Sequence, residues 1–152
     1  MEWMLMPLRR YAEFSGRSRR KEYWMFVLFT LILGVVAGVI DGVLGMNAMI
    51  AGIYGPVTAL VGLATLVPSI AVGVRRLHDT DRSGLWVLLP LGLYCVVFIG
   101  LALQNTLLTT VGGVAALAAA VTLLVFFVLA GTPGPNRFGP DPKGQADPAV
   151  FA

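Results

Sequence analysis

Three short polar stretches hold most of the side chains in this chain that are able to do chemistry. They read FSGRSRRKEYW at residues 14–24, VRRLHDTDRSGLW at 74–86 and GTPGPNRFGPDP at 131–142. Arginine dominates the first two. Its planar guanidinium forks onto phosphate or carboxylate in bidentate fashion, so Arg17, Arg19, Arg20, Arg75 and Arg76 gathered in one place would form a pocket for an anion. Arg137 would extend it, with Glu22, His78, Asp79 and Asn136 as the polar neighbours that orient the arginines. The plainer alternative is a salt-bridged hairpin loop whose arginines touch lipid phosphates. If the helix preceding the second stretch continues through it, Asp79 stands i+4 from Arg75 and i+3 from Arg76, spacings that close an ion pair on one face. Four prolines and three glycines exclude a helix from the third stretch. It is either a loose tail or a cap folded back over the polar surface. In the cap, Phe138 packs at the interface and Arg137 meets Glu22, Asp79 or a phosphate.

The same residues argue against catalysis. His78 is the only histidine and Cys95 the only cysteine, so a His/Cys zinc site has no ligand set. The adjacent His78-Asp79 pair resembles part of a metal phosphohydrolase site, but such sites need more histidines. No phosphate-binding loop, dinucleotide fingerprint or nucleophile elbow is present. We therefore expect no enzyme, no catalytic or metal site and no cofactor. A net charge of +3, on basic residues that abut apolar runs, also argues against nucleic-acid binding.

What must position these stretches is a membrane. Only 12% of the 152 residues are charged and 57% are hydrophobic, with a mean hydropathy of +0.82; soluble domains carry about 25% charged residues. Four runs reach the roughly 20 apolar residues that cross a bilayer as helix: about 23–44, 53–74, 85–103 and 107–130. They are too long, and too little alternating, for strands of a barrel. The fold class expected is an all-α integral membrane protein, a four-transmembrane-helix bundle forming a single domain over 1–142, with a frayed tail at 143–152. All 11 Lys and Arg lie in alternating flanking segments, and the loops near 45–52 and 104–106 have none. The positive-inside rule then places both termini in the cytoplasm. The first run is too long for a secretory signal and reads as a retained anchor.

Within the runs, Gly34, Gly38 and Gly42, then Gly112, Ala116 and Ala120, and Ser69 with Gly73, offer small faces for helix packing, within one chain or between copies. Pro56 suits a helix's first turn. Pro90 lies further into the third span, and Pro68 should open a backbone hydrogen bond that a neighbour re-satisfies. Ahead of the first run, Met4, Leu8, Tyr11 and Ser15 share a helical face, with Pro7 in a first turn, as in a short interfacial helix. Asp41 is the one charged residue inside a run. It lies 17 residues after Trp24, roughly 26 Å of helix, which places it in interfacial water at the outer boundary in preference to a proton relay.

The three polar motifs, in this order at membrane boundaries over about residues 8–142, resemble the domain of unknown function 805 family of YhaH-type bacterial inner-membrane proteins. Two positions depart from the family pattern: Asp81, where the family has Gly, and Leu85, where it has Trp. The resemblance implies a small multi-pass protein of the bacterial inner (cytoplasmic) membrane and favours the ordered cap; it brings no activity with it. Three functions follow in order of preference. The first is a non-enzymatic membrane protein whose arginine face meets anionic lipid headgroups or an acidic partner. The second is a transporter or channel subunit working as a homo-oligomer, for which Asp41, Thr65, Ser69 and Pro68 speak. The third is an enzyme on a lipid-phosphate substrate, with His78 as base.

Overall fold

A computed structural model describes residues 2–46 and 55–144. A short helix α1 (Glu2–Arg9) precedes α2 (Arg20–Val43) and α3 (Pro56–Asp79). A 3-10 turn (Gly84–Val87) then leads into α4 (Leu88–Ala102), and α5 (Thr106–Val128) follows. The described residues hold no strand, only an isolated bridge between Asn136 and Gly139. Among the described residues four helical segments, one for each apolar run and the third counted from Gly84 to Ala102, are long and apolar enough to cross a membrane. The start expected near residue 53 and the tail beyond 144 lie outside the described residues.

Three of these helices end in the same way. After α2, the Met46 amide donates to Asp41 O (2.8 Å) and that of Gly45 to Gly42 O (3.1 Å), with Gly45 at φ 65°. After α3, Arg82 N reaches Leu77 O and Asp81 N reaches His78 O, both 3.0 Å, around Asp81 at φ 57°. After α4, Asn105 N donates to Gly100 O (2.8 Å) and Gln104 N to Leu101 O (3.1 Å), around Gln104 at φ 51°. Each is a Schellman motif, which satisfies carbonyls that a helix end leaves open. Helix α3 therefore runs past residue 74, where the apolar run stops, because nothing breaks it before Asp81. Its last turn carries Arg76, His78 and Asp79, with Arg75 just before it.

The described residues fall into two compact units, one drawn from Met1–Phe14 and Lys21–Val72 and the other from Ser15–Arg20 and Gly73–Ala152. In the first, Asp41 is 1% exposed, which corrects the expectation of interfacial solvation. Its carboxylate accepts from Val57 N (3.0 Å), Thr58 N (2.8 Å) and the Thr58 hydroxyl (2.7 Å). It thus caps the first turn of α3 across the loop, where amides have no intrahelical partner. Pro56 opens that turn as its lack of an N–H suggests.

Pro68 removes the bond that its position would have given to Ala64 O. That carbonyl instead accepts from the Tyr11 hydroxyl at 2.8 Å. Tyr11→Phe is expected to leave it unsatisfied and to lower stability by about 1–2 kcal/mol, measured as the shift in thermal unfolding of the detergent-solubilised protein. A parent-like Tm would show that the bond is not needed. Helix α1 ends at Arg9, so Tyr11 and Ser15 lie beyond it, and Pro7 is buried in its second turn, not the first. On the small face of α2, an added Cβ at Gly34 would meet nothing within 4 Å, and one at Gly38 only the Thr58 hydroxyl at 4.0 Å; of the two packings expected for this face, the structure of one chain shows little of the first.

In the second unit, α4 and α5 pack as an antiparallel pair through small residues. A Cβ at Gly100 would come within 2.6 Å of the Thr109 hydroxyl, and one at Gly112 within 3.2 Å of Val97. Ala116 and Ala119 are buried on the same helix. The Asn105 side chain caps α5 by accepting from Leu108 N at 3.0 Å. The 3-10 turn hands over to α4 at Leu88, so Pro90 stands in the first turn of α4.

Candidate functional site

The three polar motifs meet at one end of the second unit. The last turn of α3 supplies Arg76 and Asp79, which pair i,i+3 through Arg76 Nη1 and Asp79 Oδ2. The remaining Arg76 donors go to Phe127 O (3.2 Å) and to Leu129 O. These are carbonyls at the end of α5 with no helical partner, where a cation also meets the negative end of the helix dipole. Arg20 Nη1 adds a bond to Val128 O at 3.3 Å.

The segment 15–20 brings in Arg17 from the first motif. Its Nε donates to Asp79 Oδ1 at 3.1 Å, and its Nη2 lies 3.0 Å from the same oxygen. Nη1 donates to Gly134 O and Nη2 to Thr132 O, each at 2.6 Å. One carboxylate thus holds two buried guanidiniums, with Arg17 6%, Arg76 0% and Asp79 3% exposed. Charges so buried are tolerated because each is both paired and hydrogen-bonded. Arg75 is buried beside them, and its carbonyl accepts from Ser18 N at 3.0 Å.

The third motif is tied down residue by residue as an ordered cap over 131–144. Thr132 N donates to Asp79 O at 2.8 Å. The Asn136 amide donates to His78 O (2.9 Å) and to the Thr132 hydroxyl (3.0 Å), while its oxygen accepts from Phe138 N (2.9 Å). The Phe138 ring stacks on His78, with centroids 3.9 Å apart and planes 3° from parallel. His78 Nδ1 lies 3.1 Å from Gly16 O; since a carbonyl only accepts, Nδ1 carries the proton. Arg19 donates to Pro142 O through Nε and Nη2. Asp141 accepts from Lys143 N at 2.8 Å and Gly134 N at 3.3 Å.

Of the expected site residues, the structure therefore joins Arg17, Arg76, His78, Asp79 and Asn136 directly. Arg19 and Arg20 join at the margin through main-chain carbonyls. Arg137 departs from its expected partners. It pairs with the Asp81 carboxylate at 3.0 Å and donates to Asp81 O at 2.8 Å, because both Asp79 oxygens are already committed. The acceptors that Arg17 and Arg76 use are carbonyls, one carboxylate and the Thr132 hydroxyl of the chain itself. Glu22 is buried in the first turn of α2. Sequence reasoning missed Thr132, which bonds through its amide, carbonyl and hydroxyl. It also missed Gly131, where a Cβ would lie 2.1 Å from Asp79 Oδ2; the glycine ahead of a Thr-Pro-Gly turn was the available signal. Among the described residues no group of His, Cys, Asp and Glu side chains is placed to hold a metal.

The chain is 43% identical to the inner membrane protein YhaH of Escherichia coli K12 over 143 residues, covering 94% of this chain and 98% of the relative. It is equally similar, 43% over 143 residues, to the inner membrane protein YhaI of the same strain, of which 97% is covered. No solved structure matches it. The model of a family described as protein of unknown function (DUF805) matches residues 11–140, from Tyr11, which closes the Pro68 gap, to the end of the cap turn. The chain belongs to the DUF805 family.

Proposed function

We propose that this is a non-enzymatic multi-pass protein of the bacterial inner membrane, with both termini in the cytoplasm, whose polar cap meets the anionic headgroups of the inner leaflet. The observation that carries this reading is a division of labour among the arginines. The buried pair Arg17 and Arg76 holds the cap together. Arg20 and Arg137 are exposed, Arg19 and Arg82 are half-buried, and Lys143 is exposed, so basic groups line the rim. All Lys and Arg fall in alternating segments, which supports a cytoplasmic cap. In this reading helix α1 is an interfacial helix, with Leu5 exposed. Basic residues near an anionic leaflet each contribute about 1 kcal/mol.

Titrating anionic phosphatidylglycerol into the detergent-solubilised protein is expected to raise Tm by about 3 °C or more beyond zwitterionic phosphatidylcholine, since a ligand of the folded state stabilises it. Equal shifts from the two lipids would overturn the lipid reading and turn attention to an acidic partner protein. The polar groups that favour a transport path are engaged locally. Thr65 donates to Val61 O at 2.8 Å, Ser69 to Thr65 O at 2.6 Å, and Asp41 caps α3. The geometry therefore favours the first reading over transport.

A further inference from the structure

Arg82 stands apart from the buried arginines. Its side chain makes one hydrogen bond among the described residues, Nη1 to Thr80 O at 3.1 Å, and no carboxylate there pairs with it. Asp81, its neighbour in sequence, is held by Arg137. Its guanidinium carbon lies 4.0 Å from the centre of the Phe126 ring. Trp86 meets the same ring edge-on at 5.5 Å, so Arg82 and Trp86 flank one aromatic platform where α5 reaches the polar end. Beside it opens a groove of ≈ 380 Å³ lined by Ser83, Leu85, Trp86 and Leu89. Leu85 and Leu89 are one helical turn apart and exposed, which makes an apolar track down the start of the third span.

We infer that this groove seats a single anionic phospholipid, its phosphate on Arg82 and one acyl chain along Leu85, Trp86 and Leu89. The inference rests on the lipid reading above and assigns it a discrete site. A positive head with an apolar track below it fits a phospholipid at the headgroup level, where Trp is itself enriched. A free phosphate or an acidic peptide would use the arginine and leave the track bare.

The test is quenching of Trp86 fluorescence in vesicles, in a Trp3→Phe/Trp24→Phe background. The vesicles contain phosphatidylglycerol or phosphatidylcholine brominated near the top of the acyl chain. Phosphatidylglycerol is expected to associate at Trp86 about five-fold more strongly, the value of one basic residue beside a net-anionic headgroup, since choline neutralises the phosphate of phosphatidylcholine, and Arg82→Gln to remove that preference. Equal quenching by both lipids in the Arg82 protein, or a preference unchanged in Arg82→Gln, would overturn the site. If phosphatidylglycerol still raised Tm selectively, only this site would fall; if it did not, the broader lipid reading would fall with it.

Discussion

Asp79→Asn is expected to lower stability by about 3–5 kcal/mol, the usual consequence of removing one partner from a buried ion pair. Asparagine keeps the shape and one oxygen but not the charge. Arg17 and Arg76 would then be two guanidiniums packed at one end of the unit with no anion between them. The loss would reach all three motifs, because Asp79 also binds Thr132 through its carbonyl. Gly131→Ala approaches the same carboxylate from the other side. Its new Cβ would sit 2.1 Å from Asp79 Oδ2, so either the carboxylate or the start of the cap must shift. Thermal unfolding of both variants in the same detergent, with hydrogen exchange at Thr132 and Phe138, would measure this. A loss below about 1 kcal/mol for Asp79→Asn, the range of an exposed pair, would contradict the buried double pairing.

The second large effect is expected at Asp41. Asp41→Ala removes the acceptor for two first-turn amides and a hydroxyl of α3. A lost cap and buried unsatisfied donors together cost about 2–4 kcal/mol, and Asp41→Asn, with one oxygen left, should lose less. Gly55→Ala tests the fit independently: the added Cβ would lie 2.1 Å from the Asp41 carboxyl carbon. Amide exchange at Val57 and Thr58 should quicken in Asp41→Ala. Parent-like exchange there would show that the helix start has other support. The same observation removes Asp41 as a solvated group at the outer boundary and makes it a structural anchor.

Much of the architecture was legible because one physical demand dominates it. Helices in lipid must satisfy their own backbone, so length and apolar content reveal the four spans, and the prolines and small residues mark the places needing a local solution. The expectation that a neighbour would repair the Pro68 gap is met by Tyr11, but nothing in the spacing of Tyr11 identifies it as that neighbour. Helix ends were harder to read. Gly45 is an ordinary signal for a left-handed cap, whereas Asp81 and Gln104 take the same conformation without being glycine. At Asp81 the side chain brings an ion pair with Arg137. The small face of α5 is buried at Gly112 and Ala116, with Ala119 in place of Ala120, while at Gly34 of α2 an added Cβ would meet nothing within 4 Å.

The candidate site was legible in composition and not in connectivity. Residue types showed that arginines and a few polar partners would gather at one end. They did not show that Arg17 and Arg76 would share a single carboxylate. Nor did they show that most remaining donors of the cap would go to main-chain carbonyls of residues 127–142, since a carbonyl leaves no trace in residue type. Burial and a share of the Asp79 carboxylate, not the carbonyl acceptors, separate Arg17 and Arg76 from the arginines left at the rim.

The most direct measurement is native mass spectrometry of the protein released from mild detergent, beside an Arg20→Gln/Arg82→Gln/Arg137→Gln variant. These substitutions leave the Arg17–Asp79–Arg76 core untouched. The account predicts that the parent retains anionic phospholipid and that the variant, still folded and with its Tm lowered only by the loss of the peripheral Arg20–Val128, Arg82–Phe126 and Arg137–Asp81 contacts, retains far less. Equal retention by both, or no anionic lipid on the parent, would contradict a lipid-binding rim and leave these arginines as markers of membrane orientation alone.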